Sequence, residues 1–137
     1  MEVVVNNAMA NAWKSRAYGS SGHMYVYLIK CRVNGKTYIG TTENIKGRLR
    51  HHSYELRSGS HANRAMQADF DKYGEGNFEA IIVETLVDSR PLALAMEKNW
   101  IRKTKSYLPE YGYNNCPVSK ILRGEDPTPW KHRAVAI

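Results

Sequence analysis

The chain has 137 residues, enough for one domain with a single core and too few for two ordinary ones. Its 20 Lys and Arg against 13 Asp and Glu leave a formal charge of +7, which favours an anionic partner, nucleic acid ahead of an acidic membrane surface. Two cysteines, Cys31 and Cys116, exclude a disulfide framework and a CxxC metal knuckle, and no apolar run reaches the roughly 18 residues of a membrane span, so the expectation is a soluble cytoplasmic protein.

Residues 1–23 start acidic, lack the order of a signal peptide and end in Gly-Ser-Ser-Gly, which reads as an extension and linker. The compact domain is expected over residues 24–117, with 118–137 as a Pro-containing tail. YVYLIKCRVNGKTYIG, residues 25–40, places Asn34-Gly35 between two β-rich runs and predicts a hairpin with a type I′ turn, strands near 24–32 and 36–40. That hairpin carries three tyrosines, one of them two residues ahead of a glycine that weakens its strand.

Ile45, Leu49 and Leu56 then recur at helical spacing, with Thr42 or Asn44 as N-cap and Gly59 as the stop. HANRAMQADFDKYGEGN predicts a second helix ending at Gly74, and FEAIIVETL, residues 78–86, a third strand. DSRPLALAMEKNWIRKTKS opens with Asp88 or Ser89 as cap and Pro91 in the first turn, and ends in cations that suit the helix dipole. The order β-β-α-α-β-α predicts a small α+β domain with a three-stranded, mostly antiparallel sheet flanked by helices.

Within the last helix, Ala93, Leu94, Trp100 and Ile101 surround Glu97 at i±3 and i±4, so a carboxylate stands in an apolar stripe. Such a group calls for a cation, a metal ion or a raised pKa, unless it pairs with an arginine or reaches water at the stripe's edge. Arg48 and His52, four apart, share one face of the first helix and either hold a phosphate or belong to a solvated basic face with Lys46, Arg50 and Arg57. The histidines do not fall at the spacing of a metal-ligand set, and no GxGxxG, Walker-type or GxSxG motif occurs.

Taken together, these residues resemble the GIY-YIG endonuclease family. Tyr25-Val26-Tyr27 and Tyr38-Ile39-Gly40 match the two halves of its signature across the ten residues LIKCRVNGKT, with Tyr25 where the family has its first glycine. Arg48 and His52 follow at the family's positions, Glu97 on the helix after the third strand, and Asn114 in GYNN; His61 with NRAMQADFDKYGEGNFE looks like the phage and intron homing branch.

The resemblance implies hydrolysis of DNA phosphodiesters to 5′-phosphate and 3′-hydroxyl ends, with one Mg²⁺ or Mn²⁺ on Glu97. In that reading Arg48 holds phosphate oxygens, Tyr27 is the general base, and Tyr38 positions the water. His52 shares in proton transfer or binds phosphate, and Asn114 orients water or the packing of helix on sheet. Gly40, His61 and Lys36 are expected in DNA-binding or structural roles, and a homodimer would supply the second cut of a double-strand break. The alternative is a basic nucleic-acid-binding module that keeps the fold without the activity.

Overall fold

The computed structural model describes residues 1–4, 23–87 and 89–114. The linker within residues 5–22, Asp88 as a cap, and the tail 118–137 lie outside the described residues. In chain order the elements are β1 (Glu2–Val4), β2 (His23–Cys31), β3 (Thr37–Thr42), α1 (Ile45–Ser58), α2 (Arg64–Tyr73), a 3₁₀ turn (Glu75–Asn77), β4 (Phe78–Val87) and α3 (Arg90–Thr104). The α+β class stands, but the sheet has four strands in the order β1-β4-β2-β3.

The added strand is β1, at the start of what reads in sequence as an extension. It pairs in parallel with β4, Glu2 opposite Glu79. Like charges opposite one another on a sheet repel, and Arg32 relieves this by contacting both carboxylates. Three residues are too few to show a strand's alternation, and the partner strand lies more than 70 residues away, so no local pattern announces it.

β2 runs antiparallel to both β3 and β4 and is one of the two inner strands of the sheet. Successive side chains on a strand point to opposite faces, and the core divides accordingly. Tyr25, Tyr27, Ile29 and Cys31 face α1 and α2, packing with Ile45, Leu49, Leu56, Met66 and Phe70. Val26, Leu28 and Ile39 face α3 and meet Ile101, Met96 and Trp100. β4 shifts register by one residue beside Val26 and Tyr27.

The hairpin forms, but not through a type I′ turn. Gly35 alone takes positive φ, at 75°, while Asn34 does not. The connection spans residues 32–36 and is closed by Cys31 N–H donating to Lys36 O at 3.0 Å and Gly35 N–H to Cys31 O at 2.9 Å. Asn34 serves the loop with its side chain instead, accepting from Lys36 N–H and donating to Asp69.

Helix ends follow local chemistry. Asn44 caps α1 through Gly47 N–H, Asn63 caps α2 through Met66 N–H, and Ser89 caps α3 through Leu92 N–H. Gly59, with φ 75°, ends α1 as expected. The second helix starts at Arg64, so His61 and Ala62 precede it, and its buried polar member is Gln67. In α3, Arg102 is buried rather than grouped with the surface cations, whereas Leu94 is exposed.

Asn114 closes the outer side of β3. Its Oδ1 accepts from Ile39 N–H at 2.8 Å and its Nδ2 donates to Ile39 O at 2.9 Å, so the side-chain amide takes the place a peptide group of a further strand would occupy. Ser106 Oγ also donates to Oδ1, at 2.8 Å, tying this cap to the chain that leaves α3. Removing the amide strands buried backbone groups. Asn114→Ala is therefore expected to lower unfolding free energy by about 2 kcal/mol in urea titration, and an unshifted midpoint would refute this reading of the cap.

Candidate active site

The register of the hairpin sets the site. Tyr27 lies opposite Gly40 and Ile29 opposite Tyr38, so the two tyrosines are diagonal neighbours on one face. Their ring centroids are 6.4 Å apart. The Tyr27 ring crosses directly over Gly40: a Cβ built there would lie 2.4 Å from the ring's Cζ and Oη. Gly40 is thus required for space, and the group it admits is Tyr27 itself.

Helix α1 places His52 in its apolar stripe with Ile45, Leu49 and Leu56, where it is 6% exposed. His52 Nε2 lies 2.8 Å from Tyr27 Oη, and its ring meets both tyrosines edge-on, with centroids 5.6 Å from Tyr27 and 5.5 Å from Tyr38. His52 Nδ1 lies 2.7 Å from His61 Nε2, and the two imidazoles stack at 5.0 Å. His61 in turn is held by Asn63 N–H, which donates to its Nδ1, and by its own N–H donating to Gln67.

Arg48, one turn before His52, is exposed. It is close enough to Tyr27 to favour the phenolate by hydrogen bond and charge, but burial and the neighbouring Tyr38 outweigh it and push the Tyr27 pKa well above the ordinary phenol range. Burial, then His61, Arg48 and His51, lowers His52 to about 3. Burial also lowers His61, against a weaker opposing pull from Glu55. Both imidazoles are therefore neutral at pH 7.

Glu97 approaches from the other side of the sheet. Its half-buried carboxylate accepts from Thr41 Oγ1 at 2.6 Å, and Thr41 is two residues beyond Ile39 on the α3 face of β3. Burial raises its pKa, while Thr41, Lys98 and Arg48 act against this. The sequence left several ways to satisfy this carboxylate; the structure uses a hydroxyl donor at the stripe's edge. The tyrosine–histidine group and the glutamate thus occupy opposite faces and meet around β3, an edge strand, at Gly40-Thr41.

Of the residues expected from the sequence, Tyr27, Tyr38, Gly40, His52 and His61 form one cluster, with Arg48 and Glu97 bordering it. Asn114 acts through the backbone of Ile39. Lys36 sits in the hairpin connection two residues before Tyr38, where its carbonyl accepts from Cys31 N–H and closes the loop. Sequence reading missed Thr41 and the backbone of Asn63; the TT after YIG and the cap position of Asn63 carry no sign of either role.

A family model described as the GIY-YIG catalytic domain matches residues 23–114, and the chain belongs to this family. It is 32% identical over 89 residues to "Intron-associated endonuclease 1" of Enterobacteria phage T4, an alignment covering 65% of this chain and 35% of that protein, so the chain spans about a third of that relative's length. Two solved structures are similar. The catalytic domain of the homing endonuclease I-TevI is 27% identical, with a TM-score of 0.60, covering 66% of this chain and 98% of that one. A glutamate-to-alanine mutant of the I-TevI domain is 29% identical, with a TM-score of 0.61, covering 69% and 94%.

The geometry has two measurable consequences. Gly40→Ala forces a methyl into the ring of fully buried Tyr27, and the variant is expected to lose more than about 2 kcal/mol of stability or to displace Tyr27; a wild-type melting curve with the Tyr27–His52 contact intact would contradict this. Between pH 3 and 6.5 the unfolded chain binds a proton at His52 that the folded chain does not, so this stability is present above 6.5 and is lost on acidification. From pH 6 to 5, wild type is expected to lose about 1 kcal/mol more than His52→Gln; parallel losses would show that His52 is not held neutral.

Proposed function

We propose that this chain is a divalent-metal-dependent endonuclease that hydrolyses phosphodiester bonds of DNA to 5′-phosphate and 3′-hydroxyl ends. The observation that carries the reading is the convergence, around one strand edge, of a phenol hydrogen-bonded to a neutral imidazole, an exposed guanidinium and a half-buried carboxylate. The basic charge of +7 and the family's homing endonucleases support DNA as the substrate.

The donor set fits a hydrated hard cation. Among the described residues there is no group of three or more His, Cys, Asp or Glu able to cage a metal ion. Glu97 offers one oriented carboxylate, and Mg²⁺ is commonly held by one or two carboxylates with water and phosphate oxygens completing the shell. Bound there, Mg²⁺ or Mn²⁺ would neutralise charge on the scissile phosphate and its leaving oxygen.

The chain's own groups do the rest. Arg48, exposed at the mouth of the site, grips non-bridging oxygens and offsets the charge of the pentavalent transition state. Tyr27, as phenolate, removes a proton from the attacking water while Tyr38 orients it; the water oxygen bonds to phosphorus, the bond to the 3′-oxygen breaks, and that oxygen takes a proton from solvent to become the 3′-hydroxyl. Because burial holds Tyr27 protonated, its own hydroxyl proton must first be lost to solvent, a loss that Arg48 beside it favours by hydrogen bond and charge. Two such chains acting as a homodimer would cut both strands.

Plasmid nicking tests the reading. Wild type is expected to nick with Mg²⁺ and not with chelator, and Glu97→Ala and Arg48→Ala each to slow nicking by at least about 100-fold. Equal nicking by wild type and Glu97→Ala would overturn it. DNA binding with no nicking by wild type would support the non-catalytic module instead.

A further inference from the structure

The hydrogen bonds leading to Tyr27 have a direction that follows from one group. A backbone N–H can only donate, and Asn63 N–H points at His61 Nδ1 at 3.0 Å. His61 Nδ1 is therefore an acceptor, and a neutral imidazole that accepts at Nδ1 carries its hydrogen on Nε2. That hydrogen faces His52 Nδ1 at 2.7 Å, which must accept it. His52 then carries its own hydrogen on Nε2, facing Tyr27 Oη at 2.8 Å.

We propose that His61 is a positioning residue which, held by Asn63 N–H, locks His52 as the Nε2–H tautomer and makes it a hydrogen-bond donor to Tyr27 instead of an acceptor of the Tyr27 proton. The inference deepens the nuclease reading and rests on it for its consequence. With His52 donating, the Tyr27 hydroxyl hydrogen cannot lie between the two rings and is turned away from His52. Once Tyr27 is deprotonated, the same His52 N–H stabilises the phenolate. His52 is then neither phosphate ligand nor proton acceptor from Tyr27.

The parts that hold the lock are built for it. Asn63 uses its side chain as well as its N–H: Oδ1 caps α2 at Met66 and Nδ2 donates to Tyr113 O at 2.6 Å. Gln67, 1% exposed, accepts from His61 N–H while donating to Leu56 O on α1, the helix that carries His52. His61 is thus fixed relative to both helices.

Long-range ¹H–¹⁵N spectra of the histidine-labelled full chain at pH 7, without substrate, read the tautomer directly. His52 is expected with a protonated Nε2 and an unprotonated Nδ1; the reverse assignment would overturn the proposal. In nicking kinetics, His61→Leu removes the donor and is expected to lower kcat by about 10- to 100-fold with little change in KM, whereas His61→Gln keeps an amide donor and recovers most of the loss. Equal losses in both variants, or none in His61→Leu, would refute a positioning role. Should His61→Leu fail to fold, the wild-type spectrum and the Gln variant decide. A wild-type chain that does not nick would overturn the nuclease reading alone, because the tautomer is measured without DNA.

Discussion

The passage of the Tyr27 ring over Gly40 is the constraint on which the site depends. The ring needs the volume that any other residue's Cβ would fill, and the strands are held in the register that puts the two opposite each other. From that position the phenol oxygen reaches His52, which reaches His61, which is pinned by the start of α2. One missing methyl group thus lets a hairpin, two helices and the loop between them share a single hydrogen-bonded line.

The sheet divides the site between its two faces. The face that carries Tyr27 is filled by α1 and α2 around an apolar core into which His52, His61 and Gln67 are set, and the face toward α3 has an apolar core of its own. Glu97 comes on α3 from this opposite face and rests on Thr41 at the outer strand, half-buried. Asn114 completes that edge further along, with its amide standing in for a strand. Each face thus has an apolar core, and the polar groups set into the two faces meet at the rim of one strand.

Much of this was legible in the sequence because short-range periodicities report burial. The hairpin runs, the stripe of Ile45, Leu49 and Leu56, the caps at Asn44 and Ser89 and the misplaced Glu97 are local patterns, and the family resemblance joined them in order. What stayed hidden was set by distant partners. The three residues of β1 have no alternation to read, and Arg102 looks like a dipole-matching surface cation yet is buried. Asn-Gly pointed to a two-residue turn, but the loop closed at Cys31 and Lys36 leaves Asn34 in an ordinary conformation. The contacts of Thr41 with Glu97 and of Asn63 with His61 depend on tertiary placement alone.

The central claim is that groups on two faces of the sheet act on one reaction at its rim. A double-mutant cycle on cleavage rate, with Tyr27→Phe, Glu97→Gln and the double variant, tests it most directly. Residues that serve one transition state are strongly non-additive, so the double variant should be little slower than the slower single variant. A rate reduced by the full product of the two single losses would contradict the account.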